Sequence, residues 1–173
     1  NLISGNKHYG IAMSEVGTTN NKILGNYIGT DLSGTKAWGN GKGGVFIGFG
    51  ASNNLLGGTT ESTLNVISGN SGNGVQLEGL NTVGNLITGN RIGTDKTGTL
   101  PLGNLGDGVA ISEGATYNQI GSVTVNGGNV ISGNTGDGIV IQDSGTVNNT
   151  VQANYIGIDA TGTFAIGNQG QGI

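Results

Sequence analysis

The sequence predicts an all-β solenoid, a parallel β-helix of about five coils with three short strands per coil and two coils per 64-residue repeat. Three observations predict it. A repeat holds register along the whole chain, three landmark motifs cycle inside that repeat at unequal spacings, and the positions following each landmark are uniformly branched and aliphatic.

The repeat is read from "NLISGN" at Asn1, "NVISGN" at Asn65 and "NVISGN" at Asn129, spaced 64 and 64. A second block keeps the same phase: "GNYIGTDLSGT" at Gly25, "GNRIGTDKTGT" at Gly89 and "ANYIGIDATGT" at Ala153. The chain divides into units 1–64 and 65–128 and a partial unit 129–173. A single β-helix domain is expected, as a segment of a longer solenoid.

Each unit holds two coils. Gly followed by Val or Ile recurs at Gly10, Gly44, Gly74, Gly108, Gly138 and Gly172, with gaps alternating 34 and 30. One Asn series runs Asn21, Asn54, Asn85, Asn118, Asn149, with gaps alternating 33 and 31. Another runs Asn1, Asn26, Asn65, Asn90, Asn129, Asn154, with gaps alternating 25 and 39. Every pair of successive gaps sums to 64, so three landmarks pass in fixed order around coils of 34 and 30 residues.

The three inward series follow the landmarks: Ile3, Ile28, Ile67, Ile92, Ile131, Ile156; Ile23, Leu56, Ile87, Ile120, Val151; and Ile11, Val45, Val75, Val109, Ile139. Branched side chains suit a pleated, half-buried surface. On stacked coils they form ladders roughly 4.8 Å apart. One coil buries too few of them to be stable alone, so the stack supplies the core. The Asn and Gly landmarks are expected at corners, where both tolerate left-handed backbone, with stacked Asn side chains hydrogen-bonding along the axis. No segment carries apolar residues at helical spacing.

Composition removes several functions. Gly accounts for 38 of 173 residues without a collagen period, and only 9 % of residues are charged. Six Lys plus Arg against ten Asp plus Glu, net −4, leaves no basic stripe for a nucleic acid. No apolar run reaches spanning length, so membrane insertion is not expected. With no cysteine, the fold does not depend on disulfides.

The "NxIxGN" and "GVxI" blocks resemble the right-handed parallel β-helix repeats of the pectate-lyase-like superfamily. The "GNYIGTDxxGTxxxGN" block is similar to repeats of large bacterial surface and secreted β-helix proteins. The resemblance covers essentially all 173 residues. It implies a right-handed solenoid and an extracellular or cell-surface location. It does not choose among polysaccharide lyases, hydrolases, epimerases, adhesins and structural solenoids.

Chemistry is sparse. The single Arg, Arg91, replaces Tyr27 and Tyr155 at equivalent positions and reads as surface variation; His8 aligns with Gly72 and Gly136 in a corner. The fifth residue after the landmark Gly is Glu15, Phe49, Gly79, Glu113 and Asp143, with Glu78 before Gly79. Glu78, Glu113 and Asp143 are thus the acid/base candidates, set against an exposed acidic rim. Asp31, Asp95 and Asp159 are turn-closing residues and the candidates for Ca²⁺.

Strand alternation turns Leu2, Tyr27, Val66, Arg91, Val130, Tyr155 and the row Ser4, Gly29, Ser68, Gly93, Ser132, Gly157 outward. That predicts a flat face for packing against another chain or a glycan, with Tyr27 and Tyr155 as stacking residues. The sequence reading is a non-enzymatic, extracellular structural or adhesive solenoid that self-associates end to end or laterally. The alternatives are a carbohydrate-active enzyme and a glycan-binding module.

Overall fold

A computed structural model describes residues 1–173, and no residue in it is helical. The chain winds as a parallel β-solenoid of about five turns with three strands per coil. The first sheet stacks Leu2–Ile3, Tyr27–Ile28, Val66–Ile67, Arg91–Ile92, Val130–Ile131 and Tyr155–Ile156 in that order. The second stacks Tyr9–Ser14, Gly43–Gly48, Asn73–Glu78, Val109–Ser112 and Ile139–Ile141. The third stacks Lys22–Ile23, Leu55–Gly57, Leu86–Thr88, Gln119–Ile120 and Thr150–Val151. Every pairing between strands is parallel, and the register matches the sequence series: Ile28 opposite Ile67, Val75 opposite Val109, Leu56 opposite Ile87.

The three inward series meet in one core. Ile28, Ile67, Ile92 and Ile131 of the first sheet pack with Leu56, Ile87 and Ile120 of the third and with Val75, Val109 and Ile139 of the second, all fully buried. Full burial of each such side chain is worth about 1.5–3 kcal/mol, and none has partners enough within its own coil.

Three amide ladders, not two, bind the coils together. The two Asn series named above stack as expected, and a third runs Asn6, Asn40, Asn70, Asn104, Asn134, Asn168. In each ladder Nδ2 of one Asn donates to Oδ1 of the Asn one coil later, at 2.8–3.2 Å. The same Oδ1 accepts the preceding rung's main-chain N–H, as Asn90 Oδ1 does from Asn65. The second Nδ2 hydrogen goes to a main-chain carbonyl, for Asn90 that of Leu56 at 2.9 Å. A buried amide is thereby fully satisfied, as burial requires.

Two expectations about corners are corrected. The ladder asparagines are not the left-handed residues; those are often the residues before them, such as Asn20, Asn53, Tyr117 and Asn148, with φ between 55° and 59°. The ladder Asn turns inward, where only a short amide reaches its neighbour's. The landmark glycines do not adopt positive φ either. A Cβ on Gly74 would lie 2.6 Å from Ile92 Cγ2 and 2.7 Å from the Gly108 carbonyl, so close approach, not backbone freedom, selects glycine.

The flat outward face is also corrected. Residues 30–37, 94–101 and 158–165 form short hairpins closed by the bridges Thr30–Ala37, Thr94–Pro101 and Ile158–Ala165. They fold over the Ser/Gly row, where Ser4, Ser68 and Ser132 Oγ donate to the carbonyls of Thr30, Thr94 and Ile158 at 2.6–2.8 Å. Ser68, Ser132 and Val66 are fully buried, and Val130 is buried beside them. Hairpins on alternate coils touch: Lys96 N–H donates to the Gly34 carbonyl and Ala160 N–H to that of Gly98, each at 2.9 Å.

Candidate functional site

The hairpins turn the first sheet's outer face into an axial groove. Its floor is the in-register stripe Tyr27, Val66, Arg91, Val130, Tyr155. The hairpins wall one side, and the loops 58–64 and 122–128, between the third and first sheets, wall the other. Two cavities lie in it end to end. One, of about 460 Å³, is lined by Tyr27, Glu61, Leu64, Val66, Arg91 and Lys96. The other, of about 420 Å³, is lined by Thr59, Glu61, Arg91, Asn126, Val130 and Tyr155.

Arg91 lines both, with Glu61 and Leu64, and is more than surface variation. Its side chain is 16 % exposed, and Nη2 meets Glu61 Oε1 at 2.9 Å across the groove. Nη1 donates to Glu61 Oε2 at 3.3 Å and to the Lys96 carbonyl on the opposite wall. An ion pair this open is worth at most about 1 kcal/mol; its effect is geometric, tying both walls to the floor. Tyr155 is 43 % exposed and rests on its own hairpin, where a Cβ on Gly162 would stand 3.3 Å from the ring. Tyr27 is half-buried at the other end.

The three acid/base candidates lie on three successive coils at the ends of the second sheet's strands. Glu113 and Asp143 lie on neighbouring coils, exposed and at φ 53° and 74° where the second sheet turns its corner. Asp143 Oδ2 accepts the Glu113 main-chain N–H at 3.3 Å. Glu78, still on its strand, takes the Gln76 amide, whose Oε1 accepts the Tyr9 hydroxyl at 3.2 Å. Burial, then the nearby Glu78 charge, raises the pKa of that hydroxyl. Beside this chain the rings of Tyr9, Phe46 and Phe49 pack at centroid distances of 5.1 and 5.6 Å, an outer-face cluster that alternation alone did not reveal.

Asp31, Asp95 and Asp159 each serve their own hairpin. Asp95 Oδ1 accepts the main-chain N–H groups of Thr99 and Leu100 at 3.1 Å, and the Thr97 hydroxyl donates to the carboxylate at 2.7 Å. The pKa of Asp31 is lowered, chiefly by the Ser33 hydroxyl, and that of Asp159 chiefly by the Thr161 hydroxyl. For Asp95, burial is the largest influence and pushes upward, but the Thr97 hydroxyl and the main-chain donors together outweigh it and the pKa is lowered. No three His, Cys, Asp or Glu side chains gather as a metal-binding group. His8 is exposed. No helix is long and apolar enough to cross a membrane. Compared with protein families, with curated proteins and with solved structures, the chain matches none.

The groove's pairing partner was hidden from sequence reasoning. Glu61 sits thirty residues before Arg91 in a loop, "GTTEST", that its equivalent "SVTVNG" does not resemble. Only the 30-residue coil length hints that the two meet.

Proposed function

We propose that this chain is a non-enzymatic structural or adhesive β-solenoid of the extracellular or cell-surface kind, a member of the pectate-lyase-like superfamily related to bacterial surface β-helix proteins. The observation that supports it best is the use to which the repeated polar groups are put. The ladder asparagines bond coil to coil. The repeated carboxylates of Asp31, Asp95 and Asp159 close their own hairpins. Because every ladder amide donates in the same axial sense, the reading extends to end-to-end self-association. Electron microscopy and sedimentation velocity test it, with filaments or discrete multimers expected; a strictly monomeric particle at high concentration overturns the assembly. Cleavage of a polysaccharide that disappeared in Glu113→Gln would reverse the non-enzymatic assignment.

A second reading, a glycan-binding module, is favoured by the groove. It is an open channel with an aromatic ring at each end and polar walls, the lining that sugar rings require. A glycan array with Tyr27→Ala and Tyr155→Ala controls tests it.

A further inference from the structure

The spacing of the groove's features selects a class of polymer. Tyr27, Arg91 and Tyr155 occupy equivalent positions in successive units and are two rungs apart along the first sheet. Two rungs are roughly 10 Å, so Tyr27 and Tyr155 stand about 19 Å apart with Arg91 midway. Anything lying along the axis meets a comparable planar group, an aromatic ring or a guanidinium, once every two rungs, with the buried Val66 and Val130 between them.

A β-1,4-linked glycan has that geometry. Successive rings are turned by about half a turn, so rings i and i+2 offer the same face one disaccharide apart, roughly the two-rung spacing of the sheet. Rings in an α-1,4-linked chain such as maltohexaose follow a helical path and do not return the same face at that interval. The centre of the groove suits sugar hydroxyls. Arg91 and Lys96 donate beside Glu61, which accepts, and a vicinal diol needs both functions at once. The Arg91 side chain reaches from Glu61 on one wall to the Lys96 carbonyl on the other.

We infer that the groove holds an extended β-1,4-linked glycan along the solenoid axis, about four or five sugars long between the Tyr27 and Tyr155 rings. The inference rests on the glycan-binding reading and sharpens it. Calorimetric titration of the intact chain with cello- and chito-oligosaccharides of two to six sugars, and with maltohexaose, tests it. Affinity should climb from dimer to tetramer or pentamer and then level off. Tyr27→Ala and Tyr155→Ala should each weaken hexamer binding about two- to tenfold, as loss of a stacked ring does. Tyr27→Phe should bind like the parent, which separates stacking from damage to the fold. Saturation at the disaccharide, β-linked binding indifferent to both tyrosines, or preference for maltohexaose would overturn the inference while leaving glycan binding in place. Absence of binding to every glycan on an array would overturn both.

Discussion

Replacing Asn90 by Ala in the middle of the first ladder isolates what one amide contributes. Asn90 is 1 % exposed. Its Nδ2 donates to Asn129 Oδ1 at 3.0 Å and to the Leu56 carbonyl at 2.9 Å. Its Oδ1 accepts the Asn65 main-chain N–H at 3.3 Å and Asn65 Nδ2 at 2.9 Å. Alanine keeps the Asn90 N–H bond to Asn129 Oδ1, so that oxygen retains a donor. Four groups lose a partner: the Asn65 N–H, one Asn65 Nδ2 hydrogen and the carbonyls of Leu56 and Thr88. Each buried, unsatisfied polar group costs about 1–3 kcal/mol. Water entering the vacated space relieves part of that, so the expected loss is about 3–5 kcal/mol. Urea unfolding followed by far-ultraviolet circular dichroism measures it, with m-values compared to confirm that the same surface is exposed. Asn148→Gly is the control: Asn148 is exposed at φ 58°, which glycine adopts freely, so a change within about 0.5 kcal/mol is expected. A loss below about 1 kcal/mol for Asn90→Ala would refute the claim that the ladders hold the coils together.

Gly74→Ala should destabilise by about 1–3 kcal/mol through overpacking against Ile92 and the Gly108 carbonyl. Gly167→Ala, with nothing within 4 Å of the new methyl, should be neutral by the same denaturation assay. Thr94 Oγ1 is a buried side-chain oxygen without a hydrogen-bond partner, and the equivalent position is Ile158. Thr94→Val should therefore raise stability by about 1 kcal/mol, and a fall of that size would contradict the packing described. Asp31, Asp95 and Asp159 have lowered pKa values in the folded chain, so the unfolded chain binds more protons in acid. Their stabilisation is complete above the unfolded carboxylate range, about pH 4, and disappears as pH falls through the lower folded values. Asp95→Asn, which keeps an oxygen for Thr99 and Leu100, should flatten the acid limb of a stability–pH curve; an unchanged slope would show that these hairpins do not titrate with unfolding.

Much of the architecture was legible because a solenoid writes its third dimension into its period. The residue one coil away lies 25 to 39 positions distant, and successive gaps always sum to 64, so Ile67 over Ile28 and Val109 over Val75 could be paired without a structure. What period cannot show is which way a short side chain turns at a corner. Asn21 and Asn20 look alike in sequence; one feeds a ladder and the other takes the left-handed turn. Alternation likewise marks Ser68 as outward, and it is, but a hairpin folded from the same unit covers it. The groove followed from that covering. Its cross-link was invisible for a further reason: Arg91 and Glu61 are both departures from the repeat, and a period predicts only what recurs.

The contact between hairpins on alternate coils has a consequence for how such a chain can grow or shrink. Gly34 meets Lys96, and Gly98 meets Ala160, across one full unit of two coils. Excising residues 65–128 would bring the hairpin at 30–37 onto that at 158–165 with every amide rung still facing its neighbour. Excising a single coil would keep the rungs but set a hairpin above bare strand. Tandem duplication and loss are therefore free to proceed by pairs of coils and obstructed by odd numbers, and the 64-residue period is the smallest step in length that this architecture permits.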